Sequence, residues 1–374
     1  MIPFNKPYIS GKELAYMQEA IERGMLSGGG IFHEKCMQTL RVLFGYDHLL
    51  GTHSATGALE MAALLLNIQK GDEVILPAFT FPSTANAFLL RGATLRFADS
   101  CSDDPNVDVA SIRALISENT KAVVIIHYAG VPAEMDSIAA LCREKGVALI
   151  EDAAQALGAR YKGRFTGSFG IYAAFSFHET KNVGSGEGGL LVVQNKAQFD
   201  RAEIIWEKGT NRAALHRGET DHYHWMDLGS SYLPSELQSA FLLAQLEAYD
   251  MIMSGRKKVW DYHWQKLSVY APGIFQCMHI PGHVEHNYHQ FHILCKDKRE
   301  RDALEKYMRS QNILAISHYR PLHISPYYLS IQEQVSLPHA ERYADTILRL
   351  PMYPGLPEKE ADILHSAILT FYGK

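Results

Sequence analysis

Between about Ser54 and Val193 short apolar runs alternate with segments of helical length, and this pattern limits the fold more than any other feature of the chain. The runs cover residues 73–77, 121–127, 147–152, 171–177 and 189–193. Runs of this kind make strands buried on both faces, and strands separated by helix-length crossovers are laid down parallel with right-handed connections. The reading is an α/β domain with a large, mainly parallel sheet covered by helices on both sides. Gly71-Asp72-Glu73, Gly92-Ala93 and Gly184-Ser185-Gly186 supply turns between its elements. Beyond Ser235 the pattern changes: Leu237, Ala240, Phe241, Leu243 and Ala244 recur at three- and four-residue spacing in a long helical segment over 236–253. A strand-like stretch over 288–295, a charged helix about 298–311 and a second strand-like stretch over 315–319 read as a smaller α+β domain. The expected boundaries are a large domain with its N-terminal segment over 1–235, a linking helix over 236–260 and a small domain over 261–374. A length of 374 residues accommodates both domains.

Two residues within the large domain suggest its chemistry. Asp152 closes the run 147–152, which puts its carboxylate at a strand's carboxyl end, where open α/β sheets place their ligands. Lys181 follows the run 171–177, which reads as a neighbouring strand. A lysine amine forms a Schiff base with a carbonyl cofactor, and a buried carboxylate keeps a pyridine nitrogen protonated so that the ring can accept electrons. Taken singly, Asp152 would read as a helix cap and Lys181 as a surface lysine. Taken together, at two converging strand ends, they point to pyridoxal 5'-phosphate. Ser54-Ala55-Thr56-Gly57 is a small-residue turn before a helical segment, where unpaired N–H groups at the positive end of the helix dipole favour a dianion.

Composition removes several classes. A formal net charge of -5 with no long Lys or Arg run gives no field for nucleic acid. The five cysteines are scattered and form no CxxC pair, so neither a disulfide framework nor a zinc site is expected, and a reducing cytoplasm fits. The first residues lack a signal-peptide pattern, and no apolar run reaches membrane-spanning length. The 18 histidines form no HExxH or comparable spacing, so no metal site is expected, His286, His289 and His292 included. No GxGxxG follows an early strand, which disfavours a nicotinamide enzyme.

A series of motifs in order resembles the DegT/DnrJ/EryC1/StrS family of sugar aminotransferases over essentially the whole chain. The series runs through Ser54-Ala55-Thr56-Gly57-Ala58-Leu59, Thr80-Phe81, Glu151-Asp152-Ala153-Ala154-Gln155, Ser176-Phe177-His178-Glu179-Thr180-Lys181-Asn182, Gly186-Glu187-Gly188-Gly189 and His318-Tyr319-Arg320-Pro321-Leu322-His323. The resemblance implies fold type I and a cofactor that alternates between pyridoxal 5'-phosphate and pyridoxamine 5'-phosphate during turnover. It implies that Lys181 is the Schiff-base lysine and catalytic acid and base, that Asp152 pairs with the pyridinium, that Gln155 bonds the phenolic oxygen and that Phe81 stacks on the ring. It gives the phosphate to the Ala55 and Thr56 backbone and the Ser176 hydroxyl, and places the active site at a homodimer interface. His318, Tyr319 and His323 are expected to contact the sugar or the partner's site, or to serve as interface packing, and His178, also a substrate-binding candidate, to orient Lys181 or pack beside it.

One departure narrows the resemblance. Many family members carry an asparagine and an arginine in a GxNxRM-type loop, the asparagine reaching the partner subunit's cofactor phosphate; this chain has Gly229-Ser230-Ser231-Tyr232-Leu233 there, and Ser231 is expected to bind the cofactor through a single hydrogen bond. The same loop occurs in the branch that makes TDP-4-amino-4,6-dideoxygalactose for the enterobacterial common antigen, and Glu207-Lys208-Gly209-Thr210-Asn211-Arg212 and His127-Tyr128-Ala129-Gly130-Val131 also match that branch. The expected reaction moves the amino group of L-glutamate to carbon 4 of dTDP-4-keto-6-deoxy-D-glucose. The expected product is the galacto amine, dTDP-4-amino-4,6-dideoxy-D-galactose; the alternative is the gluco epimer for O-antigen synthesis, and a 3-keto or UDP-linked sugar keeps the same chemistry. A non-catalytic sugar-binding or regulatory relative is the reading from another class. Lys181 weighs against it, and against a dehydratase, which would carry histidine there.

Overall fold

The computed structural model describes residues 1–271 and 273–374. Its strands, in chain order, are β1 (Leu49–Thr52), β2 (Glu73–Pro77), β3 (Thr94–Ala98), β4 (Thr120–Ile126), β5 (Ala148–Asp152), β6 (Arg160–Tyr161), β7 (Arg164–Phe165), β8 (Tyr172–Ser176), β9 (Gly189–Val193), β10 (Gln276–Cys277), β11 (Val284–Glu285), β12 (Phe291–Leu294) and β13 (Ile347–Leu350). The large sheet has the order β1-β9-β8-β5-β4-β2-β3. Its strands are parallel except β9, which runs against both neighbours. Among the described residues the connection from β8 to β9 holds no helix, so the chain turns back beside β8 instead of crossing over.

The five apolar runs all become strands, because their side chains are buried on both faces between helices that include Ala55–Leu65, Pro82–Leu89 and Met135–Lys145. The carboxyl ends of β4, β5 and β8 lie side by side, which brings His127, Asp152 and Ser176 to one rim of the sheet.

A second sheet, β10-β12-β13, with the helices Lys298–Ser310, Pro338–Thr346 and Glu358–Phe371, forms the small domain. A third, β11-β6-β7, ties residues 284–285 to a hairpin of the large domain. One buried cluster runs through both domains, from Val123 and Ile125 to Phe291, Leu304 and Leu348.

Two expected elements differ. The linking helix over 236–260 is two helices, Glu236–Glu247 and Tyr249–Leu267, that meet at Ala248. The first begins with a reciprocal cap between Ser235 and Gln238 and packs against the N-terminal helices Glu13–Glu22 and Ile31–Phe44, so it belongs to the large domain. The helical period continues through Ala248, where the sequence offers no Gly or Pro to mark the break. The strand-like stretch 315–319 makes one isolated bridge, Ile316 to Arg349.

Candidate active site

Asp152 and Glu151 are adjacent, and strand alternation turns them to opposite faces of the sheet. Glu151 is fully buried and accepts hydrogen bonds from the N–H groups of Gly167, Phe169 and Gly170, each at 2.7 Å, and from His127 Nε2 at 3.1 Å. His127 Nδ1 accepts from the Ala133 N–H, which leaves the ring proton on Nε2 for Glu151. Glu151 is therefore committed to holding loops. Asp152 accepts from Thr84 Oγ1 at 2.6 Å and the Ala154 N–H at 3.2 Å and keeps capacity for a cation. Burial raises its pKa, while those two donors and the charge of Lys181 oppose the rise.

Lys181 sits in the turn that follows β8, its N–H bonded to the His178 carbonyl at 2.8 Å. Burial lowers its pKa to about 8, helped by the nearby Arg349 charge and opposed by Asp152. A substantial share of its amine is therefore neutral near physiological pH, the state a nucleophile requires. The next residue fixes the turn: Asn182 Nδ2 donates to the Asn287 carbonyl at 2.7 Å, and Asn182 Oδ1 lies 2.9 Å from His289 Nδ1. His289 is kept neutral by burial, so its Nδ1–H donates to that oxygen.

Ser176 is the register partner of Gly189, and Gly189 touches the start of the helix Ala55–Leu65. A Cβ on Gly189 would fall on the Ser54 carbonyl group and within 2.5 Å of Ala55 N, so only glycine lets β9 approach that helix end. Ser54 caps the helix, its side chain accepting from Gly57 N at 3.1 Å. The N–H groups of Ala55 and Thr56 precede any intrahelical bond, at the helix end against which Gly189, the register partner of Ser176, is packed. Thr56 Oγ1 donates to Ser83 Oγ at 2.8 Å, which ties this helix to the one that supplies Thr84.

Gln155 lies beyond Asp152, its Oε1 accepting from the Ala129 N–H at 2.7 Å and its Nε2 donating to Tyr319 Oη at 2.6 Å. The Phe81 ring, 56% exposed at the start of the helix Pro82–Leu89, lies 6.1 Å from the Tyr319 ring. The structure thus gathers Lys181, Asp152, Gln155, Ser176, Ala55, Thr56, Phe81, His318 and Tyr319 around one rim. His178 flanks it with its backbone, but the ring turns to Thr180 Oγ1 at 2.9 Å and toward Glu187. Ser231 is exposed beside the site, held by a bridge to Glu207. His323 departs from expectation: it is 0% exposed and its Nε2 lies 3.1 Å from Glu341, so it packs the small domain and offers no surface to a substrate.

Reasoning on the sequence missed Thr84, Asn182, His289 and Arg349. Thr84 follows Thr80, which precedes the helix Pro82–Leu89, by four residues, and the two hydroxyls meet at 2.9 Å. Asn182, in the motif beside Lys181 but given no role there, meets His289 across a long stretch of chain, and Arg349 lies on the small sheet. Among the described residues no group of three or more His, Cys, Asp or Glu is arranged to hold a metal ion.

A buried carboxylate with spare acceptor capacity, a lysine of lowered pKa at the adjacent strand end and a helix start that only glycine allows β9 to reach form a set into which pyridoxal 5'-phosphate fits. A cationic ring nitrogen would relieve the burial of Asp152, and a phosphate would take up the open N–H groups. Fold and site together define a Schiff-base enzyme of the α/β class with its active centre at the carboxyl ends of the sheet. The chain belongs to the DegT/DnrJ/EryC1/StrS aminotransferase family, whose model matches residues 7–368. Members of this family are pyridoxal phosphate-dependent sugar aminotransferases, and the chain is an enzyme of that kind. Among solved structures it is similar to the aminotransferase TlmJ from Streptoalloteichus hindustanus, at 26% identity and a TM-score of 0.92, over 100% of this chain and 99% of that one. It is also similar to DesV of S. venezuelae, at 27% identity and 0.90 over 100% and 99% of the two chains. A third is PseC of Helicobacter pylori, an aminotransferase involved in the biosynthesis of pseudoaminic acid, at 25% identity and 0.90 over 100% of both chains. Among the described residues no helix is long and apolar enough to cross a membrane.

Proposed function

We propose that the protein transfers the amino group of L-glutamate to carbon 4 of dTDP-4-keto-6-deoxy-D-glucose, giving dTDP-4-amino-4,6-dideoxy-D-galactose for a cell-surface polysaccharide. The reading rests on one observation: two of the segments matching the galactose-forming branch, 207–212 and 229–233, form one unit beside the active site. Glu207 bridges Ser231, the Lys208 N–H donates to the Ser230 carbonyl at 3.0 Å, and the Tyr232 carbonyl accepts from the His53 N–H at 2.8 Å next to the helix cap. The exposed Ser231 belongs at a homodimer interface in this reading, and the cytoplasm, where nucleotide sugars are made, is the proposed location.

When bound, pyridoxal 5'-phosphate supplies an aldehyde carbon that exchanges amines and a ring that takes up the electrons of a breaking C–H bond. Asp152 holds the ring nitrogen's proton in place. Gln155, fixed by Ala129 and Tyr319, orients the phenolic edge, and the Ala55 and Thr56 N–H groups with Ser176 anchor the phosphate. Lys181 Nζ, neutral in good part near pH 8, would take up the proton from the carbon that loses the amine in the first half-reaction and, in the second, deliver a proton to the sugar carbon that gains one. The face from which Nζ delivers that proton sets galacto or gluco configuration.

The test is an absorbance spectrum of the purified protein with pyridoxal 5'-phosphate, on addition first of L-glutamate and then of the keto-sugar, with NMR assignment of the product. Loss of the visible band with glutamate, its return with the sugar and an axial amine at carbon 4 are expected. An equatorial amine would replace the galacto product with the gluco epimer. Lys181→Ala should abolish turnover, and sustained transamination by that variant without added amine would remove Lys181 from its role.

A further inference from the structure

The face of the small sheet that looks toward Lys181 carries a cation and no matching anion. Arg349 in β13 is the register partner of His292 in β12 and bridges Ile316. Strand alternation puts Gln290 and His318 on the same side. Arg349 is only 8% exposed, yet no carboxylate among the described residues pairs with it. Its Nη1 lies 3.3 Å from His318 Nδ1, its guanidinium carbon 4.9 Å from the Phe4 ring centre, and its Nε has no partner. His292, 2% exposed, leaves Nδ1 without a partner among the described residues.

The other buried arginines are satisfied. Arg256 donates to the carbonyls of Tyr288 and His289, and Arg301 to Asp302 and the Ala344 carbonyl. Buried charge is paired in folded proteins, and a cluster of buried polar groups with open positions marks a place where a ligand completes the set. The required ligand is anionic and offers two oxygens to a planar fork. Because His318 Nδ1 accepts from Arg349, its ring proton sits on Nε2, which provides a second donor.

We propose that Arg349, seconded by His318, binds a carboxylate of the amino donor, an α-amino dicarboxylic acid. This rests on the aminotransfer reading above. The carbon that loses the amine must reach Lys181, and in an amino acid its carboxylate is bonded to that same carbon. The diphosphate of a nucleotide sugar is many bonds away from the reacting ketone. Arg349 acts on both: its charge helps to lower the pKa of Lys181, and a bound carboxylate would offset that charge.

The test uses the pyridoxal phosphate-loaded protein and three unreactive or non-donor probes, titrated by calorimetry: glutarate, its uncharged diamide and TDP. In the wild type, glutarate should bind at least about 30-fold more tightly than the diamide, and Arg349→Gln should lose a similar factor for glutarate, as truncation of one partner of a buried charge pair does. Arg349→Lys should recover part of it, and TDP should bind all three proteins alike. Equal binding of glutarate and diamide to the wild type would overturn the proposal without recourse to any variant. So would unchanged glutarate affinity in Arg349→Gln, or a loss of TDP in place of glutarate, which would assign the cation to the diphosphate. Glutarate binding that depends on Arg349, in a protein that aminates no keto-sugar, would uphold the carboxylate site and sink the proposed reaction. Sugar amination by Arg349→Gln with an unaltered KM for glutamate would do the reverse.

Discussion

Asp152 and Glu151 differ in what surrounds them, and the difference separates two kinds of defect. Glu151 accepts four hydrogen bonds from buried groups, so Glu151→Gln leaves donors without an acceptor and should cost about 1–3 kcal/mol of stability. Asp152→Asn removes a charge that burial already disfavours, so stability should hold or rise while turnover falls on the order of 10²–10³-fold. Urea midpoints and turnover measured on both variants check this; a stable Glu151→Gln with lost turnover would reverse the assignment. Lys181 gives a pH test. Its pKa is about 8 when folded and 10.5 when unfolded, so between those values the unfolded chain holds a proton that the folded chain has released. Stability of the cofactor-free protein should therefore rise with pH across that window, by up to about 1.4 kcal/mol per unit, relative to Lys181→Met. Parallel stability curves for the two proteins would show that Lys181 is not shifted. Asp152 was legible in the sequence because it ends an apolar run, and Lys181 because it follows one; Thr84 and Arg349, which tune them, lie on other elements.

At the scale of elements, the phosphate site depends on how closely β9 passes the start of the helix Ala55–Leu65. Gly189→Ala would place a methyl group against Ser54 and Ala55 backbone, which cannot swing aside as a side chain can. The strand and helix must separate, at a cost of about 1–3 kcal/mol, and the Ala55 and Thr56 N–H groups shift relative to Ser176. The expected outcome is a lowered melting temperature together with weaker pyridoxal 5'-phosphate binding, read by fluorescence titration. Weaker binding with an unchanged melting temperature would argue against the steric cause. The strands of the large sheet could be read from their apolar runs because burial on both faces leaves little room for polar residues. The small domain was less legible. The stretch 288–295 shortens to β12 because residues 287–289 are engaged with Arg256, Asn182 and Gln155, contacts made with distant parts of the chain. Helical periodicity likewise ran through Ala248 without indicating that the two helices serve different domains.

For the whole molecule, what matters is how the small domain is held over the rim. The Leu322 N–H donates to the Ala78 carbonyl at 2.8 Å, Tyr128 Oη to the His318 carbonyl at 2.9 Å, and Gln155 Nε2 to Tyr319 Oη at 2.6 Å. Asp99, just past β3 in the large domain, caps the small-domain helix Pro338–Thr346 by accepting from the N–H groups of His339 at 3.2 Å and Ala340 at 2.8 Å. These links surround a buried cluster common to both domains, so neither can unfold without exposing apolar surface of the other. Asp99→Ala removes a helix cap, worth typically about 1 kcal/mol, and also a tie between domains. If the shared core governs cooperativity, the variant should move the denaturation midpoint by that amount while intrinsic fluorescence and circular dichroism continue to report one coincident transition. If the caps and ties govern it, Asp99→Ala should split the transition, with the small domain melting first. A transition already split in the wild type would mean that the continuous cluster does not couple the domains, and the small-domain residues His318, Tyr319 and Arg349 would then be held at the rim by the polar ties alone.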